Sequence, residues 1–486
     1  MPQLRDSGTR SLHATEPVPS AEMDGFCRIF GVETEYGVAV TGAERPVDAG
    51  QVAMTMFQPI VSRSRSTNTY LANGSRLYLD VGSHPEYATA EARDPREALA
   101  QDLAGEHVMR NLALKAQRKL RESYGAHATI HVFKNNVDSA GHAFGCHENY
   151  LVRRFVPLET IEHQLLPFLI TRQLYTGAGR MTPDGFQITQ RADFLDEAVS
   201  SATTRSRPMV NTRDEPHADP DSFRRLHVII GDSNRSQWST WMKLAVTHLV
   251  LCAIEDAFRH GVPSGFEQYA FADPAAANRT VSRFLDNPRA ELTLESGESV
   301  SALGLQRRYY AAVKAFIETH GDALAGSLPA TTIDTIMGEW SRVLDALERG
   351  AYDALADRVD WAAKKRLFDA LKRRRPDVTF AQMEQLELDY HDIANGRLYG
   401  SLVARNQMRE LLTGDNVEYA VHNPPTGTRA ALRGRFVDAA LNVGAQFSAD
   451  WTHLTLTAPE RREAILLDPF EAEPTLGFEQ LMEALN

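Results

Sequence analysis

The order in which strand-like and helix-like segments follow one another constrains this fold most. Short segments that alternate polar and apolar residues, as strands do, concentrate before residue 230; the clearest are 27–36, 76–80 and 224–230. Residues 128–133 and 148–155 are predicted to form a β pair, and residues 300–410 carry the apolar spacing of helices. Strands collected early in the chain, with helices around them, predict an α+β protein.

Composition divides the 486 residues into three predicted segments. Residues 1–25 are rich in Ser, Pro, Thr and charged residues and lack the apolar core of a secretion signal, so we expect a disordered tail. The dipeptide Pro424-Pro425 marks a boundary late in the chain. We therefore predict a large domain over residues 26–422. A small C-terminal domain is predicted over residues 423–486, with a strand at 446–456.

The overall composition argues against several classes of protein. No run of about 18 apolar residues occurs, so no membrane-spanning helix is predicted. The 52 lysines and arginines are outnumbered by 64 aspartates and glutamates, and the resulting net charge of −12 disfavours a general nucleic-acid binder. Cys27, Cys146 and Cys252 lie far apart without zinc-site spacing, which indicates a reducing, cytoplasmic environment.

The first candidate site is the acidic pair Glu33 and Glu35, which lies in the first predicted strand. Residues two apart on a strand share one face and are about 7 Å apart. Two carboxylates so placed repel each other unless water or a cation compensates them. A solvated strand face is the first explanation of this pair on its own.

The second candidate site is denser in chemical roles. Alternation places Arg76, Tyr78 and Asp80 on one strand face, with leucines on the other. A turn over 82–85 then brings Glu86 back toward the end of that strand. Arginine suits a phosphate, and carboxylate oxygens suit Mg²⁺ bound together with substrate phosphates. An amphipathic strand followed by a polar turn is the alternative explanation.

Two weaker candidates follow. His147 and Asn149 share a strand face and could position a phosphate or a carboxylate, although a structural, hydrogen-bonded histidine is the commoner case. The segment 202–217 holds three arginines within nine positions, beginning at Arg205. It is either an anion-recognising rim or a solvated loop.

At these residues the sequence resembles a known family, the Pup ligase and Pup deamidase family of glutamine-synthetase-like carboxylate–amine ligases. The resemblance is densest from Arg28 to Asn234 and rests on the strings GVETEYG, NGSRLYLDVGSHPEYATAE, FKNNVDSAG, GCHENYL, SSATTRSRP, NTRDEPHAD, RRLHVIIGDSN and YHDI. It implies a large domain built on a curved antiparallel sheet flanked by helices, plus a small C-terminal α/β domain.

The activity that the resemblance implies is ATP-dependent ligation. The side-chain carboxylate of the C-terminal Glu of the prokaryotic ubiquitin-like protein Pup is phosphorylated to a γ-glutamyl phosphate. A lysine of a target protein then attacks, and the resulting isopeptide bond marks the target for proteasomal degradation. The implied cofactor is Mg²⁺ with ATP as co-substrate. The implied partners are Pup and lysine-bearing proteins, with neither nucleic acid nor membrane.

The resemblance also implies roles for individual residues. A lysine with a pKa near 10.4 is protonated at neutral pH and needs a base before it attacks. The implied roles are Asp80 as that base, Glu33, Tyr78 and Glu86 as Mg²⁺ ligands, and Arg76, Thr89 and Trp451 as ATP contacts. Glu35, His147 and Arg205 are further candidates on less support.

Three other functions remain to be weighed against the ligase. The deamidase/depupylase of the same fold carries a longer insertion between the first two active-site strands, whereas Val38 to Ser75 is only 38 residues here and is similar to the ligase form. A ligase that joins small-molecule γ-glutamyl and amine substrates is a second alternative. The third is an inactive adaptor that only binds Pup, but an adaptor has no need of the Glu33, Tyr78, Asp80 and Glu86 set.

Overall fold

The computed structural model describes residues 25–80, 84–138, 141–200, 207–213, 215–458 and 460–485. The predicted tail, residues 1–25, therefore lies outside the described residues apart from Gly25. Arg205 and the rest of 201–206, where part of the predicted arginine-rich loop falls, also lie outside them.

Strands dominate the first half of the chain and helices the second, as the α+β prediction requires. The strands are β1 (Phe30–Glu35), β2 (Gly37–Thr41), β3 (Asn68–Tyr70), β4 (Arg76–Leu79), β5 (Pro85–Ala88), β6 (Thr129–Phe133), β7 (Cys146–Arg153), β8 (Arg180–Thr182), β9 (Gly185–Gln187), β10 (Glu197–Ser200), β11 (Pro208–Asn211), β12 (Phe223–Val228), β13 (Glu291–Thr293), β14 (Ser299–Ser301), β15 (Phe447–Ala449), β16 (His453–Leu456) and β17 (Arg462–Ile465). The helices are α1 (Ala49–Ser64), α2 (Pro95–Tyr124), α3 (Leu158–Thr171), α4 (Gln173–Thr176), α5 (Gln237–His260), α6 (Pro274–Ser282), α7 (Ala302–Ser327), α8 (Ile333–Glu348), α9 (Asp360–Arg374), α10 (Phe380–His391), α11 (Leu398–Ala404), α12 (Gly414–His422), α13 (Ala430–Asn442) and α14 (Leu476–Glu483).

An eight-stranded sheet in the order β10-β11-β12-β7-β1-β5-β4-β3 forms the centre of the molecule. Its neighbouring strands are antiparallel except β10 and β11, which run parallel. The predicted antiparallel sheet flanked by helices is thereby confirmed.

The two faces of the central strand β1 differ in burial. Phe30, Val32 and Thr34 point to the side covered by helices and are buried, whereas Glu33 and Glu35 point the other way and are only half-buried. Helix α2 approaches the covered side closely because Gly105 leaves room for the Tyr87 ring, which a Cβ at position 105 would meet at 2.4 Å. The opposite face stays uncovered and is where the acidic side chains collect.

The predicted pairing of residues 128–133 with 148–155 is wrong. Strand β6 pairs with β2 in a separate two-stranded sheet, and β7 lies between β1 and β12. The reason is apolar packing, since Ile130 and Val132 of β6 join one hydrophobic cluster with α1 and α2, while Tyr150 and Val152 of β7 join another.

Helix α1 occupies the polar stretch after β2, where the sequence indicated no element. Asp48 caps its first turn by accepting a hydrogen bond from the Gln51 backbone N–H at 2.9 Å. Val52, Met56 and Phe57 recur at helical spacing and are buried in the cluster with α2. These few apolar positions are enough to pack the helix against β2, which pairs with β6 in a separate two-stranded sheet.

The C-terminal segment builds its own layer from β15, β16 and β17 with α13 and α14. The predicted strand 446–456 is interrupted, because the Asp450 carboxylate accepts hydrogen bonds from the backbone N–H groups of Thr452 and His453 at 2.7 Å each. The resulting turn presents Trp451 toward the large sheet. The boundary at residues 422 and 423 stays a prediction. Within the ranges described, none of the helices has the length and hydropathy needed to cross a membrane.

Candidate active site

The uncovered face of the central strands brings three glutamates together. Glu35 of β1 pairs with Glu86 of β5 across the sheet, and Glu86 in turn pairs with Tyr78 of β4. Glu33 lies two residues before Glu35 and shares its face. The sheet register therefore places Glu33, Glu35, Glu86 and Tyr78 side by side, although they are distant in sequence.

Glu86 is the most deeply buried member of this group, with 3% of its surface exposed. Burial raises its pKa well above the usual range, and the charges of Glu33, Glu35 and Asp80 raise it further. A hydrogen bond with Tyr78 opposes this shift in the pKa of Glu86. The pKa of the Tyr78 phenol is raised, mainly by burial and further by its contact with Glu86. In the described part of the chain, Glu86 forms no ion pair with lysine or arginine.

Glu33 has a different electrostatic environment on the same face. His147 Nδ1 lies 3.2 Å from its carboxylate, Asn149 donates to it at 3.2 Å, and Arg225 Nη1 donates at 3.3 Å. Burial alone would raise the pKa of Glu33, but the hydrogen bond from His147 and the nearby charge of Arg225 hold it below its usual value. This carboxylate is therefore ionised and already directed by three neighbours.

Two overlapping sets of side chains have the spacing of metal ligands. Ligand atoms of Glu35, Glu86 and His147 lie within 4.8 Å of one another, and so do those of Glu33, His147 and His227. Uncompensated carboxylates in such proximity are costly unless a cation joins them. The carboxylates of Glu35 and Glu86 suit Mg²⁺, whereas the second set offers one carboxylate and two imidazoles, which are ligands that also suit transition metals.

Asp80 lies at the edge of this group. It follows β4 directly, its side chain is exposed, and its backbone N–H donates to the carbonyl of His84 at 2.9 Å. Asp80 lies two residues after Tyr78, which pairs with Glu86 across the sheet, and its charge contributes to the raised pKa of Glu86. Residues 81–83 between them lie outside the described ranges.

Arg76 and Thr89 lie at the other end of the same strand pair. The Arg76 guanidinium lies 4.2 Å from the centre of the Tyr78 ring and donates from Nε to Asn68 at 2.8 Å. Thr89 is 4% exposed, and its hydroxyl oxygen accepts from the Val32 backbone N–H at 3.0 Å. This hydroxyl thus also holds β1 against the segment that follows β5.

A cavity connects the acidic face to the C-terminal layer. We call it the arginine cavity, because its charged and aromatic lining includes Arg225 and Arg429; its other functional side chains are Glu33, Thr89, Glu91, His217 and Trp451. The cavity therefore brings a predicted metal ligand, Glu33, together with two predicted nucleotide contacts, Thr89 and Trp451. Arg76 and Tyr78 lie outside its lining.

Sequence reasoning missed several residues of this region. Arg225 and His227 lie on the same uncovered face of the sheet as the acidic side chains. They belong to β12, which pairs with β7 and lies beside its residues His147 and Asn149. Burial and the neighbouring His147 lower the pKa of His227 to about 3, so this ring is neutral near pH 7. The alternation of polar and apolar residues along 224–228 was the signal that could have identified both.

A second opening lies beyond Glu35, where β1 passes into β2. We call it the aspartate groove, because it is lined by Asp138, Asp389 and Asp392, together with Gly37, His84, Phe133, Asn135 and Phe144. Neither lysine nor arginine occurs among its lining residues in the described chain. The acidic face is therefore bordered by an opening with arginines at one end and by one with aspartates at the other.

Comparison with known proteins gives a consistent result. The family model described as "Pup-ligase protein" matches residues 28–455. A Pup–protein ligase of Bifidobacterium longum (strain DJO10A) is 98% identical over 486 residues, which is 100% of both chains. The crystal structure of the complex between prokaryotic ubiquitin-like protein Pup and its ligase PafA is similar with a TM-score of 0.85 and 37% identity, over 95% of this chain and 91% of the other. The structure of the Pup ligase PafA in complex with ADP is similar with a TM-score of 0.78 and 37% identity, over 91% of this chain and 94% of the other.

Proposed function

Since this chain belongs to the Pup-ligase protein family, we propose that it uses ATP to join the C-terminal glutamate side chain of Pup to lysine ε-amines of target proteins. One observation carries this proposal beyond the family assignment. Glu33, Glu35, Glu86 and Asp80 converge on one face, next to a cavity lined by arginines and Trp451. That combination suits an anionic, magnesium-bound nucleotide.

The arginine cavity is the seat that we assign to ATP. Trp451 offers an aromatic surface for the base, and Arg225 offers a guanidinium to the phosphates. Because Glu33 borders the cavity and Glu86 lies beyond it, the terminal phosphate is directed toward the acidic face. Arg76, which lies over Tyr78, is placed to meet an anionic group on that face.

Glu33, Tyr78 and Glu86 are the residues that would hold Mg²⁺, with Glu35 adjacent. The raised pKa of Tyr78 keeps its phenol neutral, so it contributes an oxygen atom without further negative charge. When bound there, Mg²⁺ would neutralise phosphate charge and polarise the terminal phosphoryl group. The hydrogen bonds from Asn149 and Arg225 to Glu33 keep that carboxylate oriented before any ligand arrives.

The chemical steps follow from the weakness of a carboxylate as an acyl donor. A side-chain carboxylate oxygen of Pup attacks the γ-phosphorus of ATP, the bond to ADP breaks, and an acyl phosphate forms. The lysine amine then attacks the acyl carbon and inorganic phosphate leaves. Asp80 is exposed and beside Glu86, so we assign to it the removal of the ammonium proton before this attack.

The aspartate groove suits the approach of the target lysine, because the aspartates that line it attract an ammonium group. The arginine cavity is bordered by residues of the C-terminal layer, including Arg429 and Trp451. The aspartate groove lies at the opposite end of β1. Its lining also contains His84, whose backbone carbonyl accepts a hydrogen bond from the Asp80 backbone N–H. The nucleotide and the target lysine thus have separate routes to the same carboxylates.

The experiment that tests this function is a conjugation assay with purified chain, ATP, Mg²⁺, Pup ending in Glu and a lysine-bearing protein. We expect a mass increase equal to Pup minus one water and one ADP released per conjugate. Pup ending in Gln serves as the matched control and should give no conjugate. Conversion of that control to the Glu form without stoichiometric ADP release would instead establish the deamidase.

A further inference from the structure

Behind the arginine cavity, two buried arginines of the C-terminal layer meet a buried glutamate of the large domain. Glu91 accepts from Arg429 Nε at 2.8 Å and from Arg433 Nη1 at 3.1 Å, and Arg433 Nη2 forms a further short contact with its second oxygen. Arg433 has 0% of its surface exposed, Arg429 2% and Glu91 8%. We call these three residues the Glu91 cluster.

Arg433 also contacts the residue that we expect to stack on the nucleotide base. Its Nη1 donates to the backbone carbonyl of Trp451 at 3.2 Å, and its guanidinium lies 4.9 Å from the centre of the Trp451 ring. The rings of Tyr70, in β3, and Trp451 form a T-shaped pair with their centres 5.1 Å apart. Trp451 is therefore held in place by a neighbouring cation and by a neighbouring aromatic ring.

The same arginine connects the two parts of the molecule. Arg433 Nε donates to the carbonyl of Gly74 at 3.0 Å, in the turn that precedes Arg76. Helix α13 lies so close to this turn that a Cβ at Gly434 would meet the carbonyl oxygen of Ala72 at 2.3 Å. One buried side chain thus touches the strand-connecting turn, Glu91 and Trp451 together.

Arg433 does not itself line the arginine cavity, whereas Glu91, Arg429 and Trp451 do. Its influence on a ligand there must pass through the residues that it holds. We propose that Arg433 is a positioning residue, which fixes the Trp451 ring in the orientation that stacks on adenine and thereby sets the affinity for ATP. This inference rests on the proposed function, because it assumes that the cavity binds a nucleotide.

The physical basis is preorganisation. A ring that is fixed before the ligand arrives loses less conformational entropy on binding than a ring on a free turn. The planar fork of arginine can reach Glu91, Gly74 and Trp451 at once, whereas lysine carries the charge on a single nitrogen. Arg433→Lys therefore keeps the positive charge and removes the simultaneous hydrogen bonds to Glu91, Gly74 and Trp451.

The test measures nucleotide affinity and catalysis separately in a cycle of Arg433→Lys, Trp451→Leu and the double variant. Loss of base stacking should raise the Kd for ADP about tenfold or more in Trp451→Leu. Arg433→Lys should raise the Kd for ADP and the KM for ATP about three- to tenfold and leave kcat within about twofold, because only ring orientation is lost. The double variant should match Trp451→Leu.

Arg435→Lys is the matched control, since Arg435 lies on the same helix, is exposed, and contacts Phe478 rather than Trp451. Its Kd for ADP should equal that of the wild type. Tryptophan fluorescence gives a second readout, because the other four tryptophans are buried in the large domain. A fluorescence change on ADP addition should weaken in Arg433→Lys and vanish in Trp451→Leu.

Three outcomes separate the possible errors. A wild-type chain that binds no adenine nucleotide would overturn the proposed function itself. A wild type that binds ADP, with additive effects in the double variant or an unchanged Kd in Arg433→Lys, would overturn only the positioning role. If Arg433→Lys fails to fold, Glu91→Gln loosens the same cluster, and an unchanged Kd in that variant would also overturn it.

Discussion

Glu86 and three other buried glutamates share burial but differ in their partners. Glu91, Glu148 and Glu255 each accept hydrogen bonds from arginine: Glu91 from Arg433 and, at 2.8 Å, from Arg429, Glu148 from Arg172 at 2.6 Å, and Glu255 from Arg28 at 2.7 Å. Burial alone would raise their pKa values, but these arginines hold the pKa of each below its usual range. Glu86 is as buried as they are, has no such partner, and has a raised pKa.

The difference indicates how a candidate cation-binding carboxylate can be told from a structural one in this fold. In the described ranges the chain compensates buried glutamates with arginine at four places, these three and Glu339, which pairs with Arg342 and Arg358, so it has the means to do so. At Glu86 it places two more carboxylates instead. A site that lacks its own cation is a site for a cation from solution, whereas the compensated glutamates hold the structure together.

The largest expected effect concerns Asp80, the exposed carboxylate beside Glu86. Asp80→Asn should lower the rate of conjugation by about 10²- to 10⁴-fold, because the amide cannot take the lysine proton. ADP affinity should stay within about twofold, since Asp80 lies outside the arginine cavity. Rates come from the mass-shift assay and affinity from direct titration. Asp286→Asn, at an exposed aspartate remote from the site, is the control. Normal conjugation by Asp80→Asn would remove Asp80 as the base.

A compensated glutamate should behave in the opposite way. Glu148→Gln leaves Arg172 buried without its ionic partner and should lower the free energy of unfolding by about 3–5 kcal/mol. Denaturant unfolding of wild type and variant measures this difference. Because Glu148 faces away from the acidic face, the folded fraction should still bind ADP. A stability loss below about 1 kcal/mol would show that the Glu148–Arg172 pair does not hold the structure.

The pH dependence of stability distinguishes the compensated glutamates from free ones. The pKa values of Glu91 and Glu255 fall from 4.5 to about 2 in the folded chain, so the folded state binds fewer protons between these limits. Their contribution is fully present above pH 4.5 and is lost as the pH falls toward 2. We expect the free energy of unfolding to decrease over this window by roughly 3 kcal/mol per group. A flat profile would contradict the compensation, and Glu91→Gln should make the slope shallower.

The smallest expected effect on stability belongs to Glu86. Glu86→Gln removes a carboxyl group whose ionised form burial, Glu33 and Glu35 all disfavour, so without Mg²⁺ the free energy of unfolding should stay equal or rise by up to about 1 kcal/mol. Conjugation should nevertheless be lost, because the variant lacks a carboxylate that we propose as a Mg²⁺ ligand. Thermal unfolding and the conjugation assay on one preparation measure both. Destabilisation comparable to that of Glu148→Gln would mean that Glu86 is a structural residue.

Local patterns in the sequence were enough to predict how part of the candidate site is arranged. The alternation over 76–80 predicts that Arg76, Tyr78 and Asp80 share one strand face, and the turn before Glu86 predicts that Glu86 returns beside that strand. The observed pairing of Tyr78 in β4 with Glu86 in β5 agrees with this prediction. The place of β1 beside β5, and of β12 beside β7, could not be predicted, because such pairings depend on contacts between distant segments. For that reason Arg225 and His227 escaped notice, and the β6 pairing was wrong.

The role of Trp451 came from the family resemblance alone. Its segment looked like an uninterrupted strand, and only the turn made by Asp450 brings the ring to the arginine cavity. The aspartate groove likewise combines β2, β6 and α10, which no local pattern places together. Whole-chain packing therefore determines where the openings to the acidic face lie.

The most direct test of the acidic face is a titration of Mg²⁺ into the chain with ADP present, followed by thermal unfolding, for wild type and Glu86→Gln. Binding to the folded state alone raises stability by RT ln(1 + [L]/Kd), about 2.7 kcal/mol at a hundredfold excess over Kd. We predict that Mg²⁺ raises the unfolding temperature of the wild type and leaves that of Glu86→Gln nearly unchanged. Equal stabilisation of both proteins, or of neither, would contradict the role of this carboxylate face as a cation site.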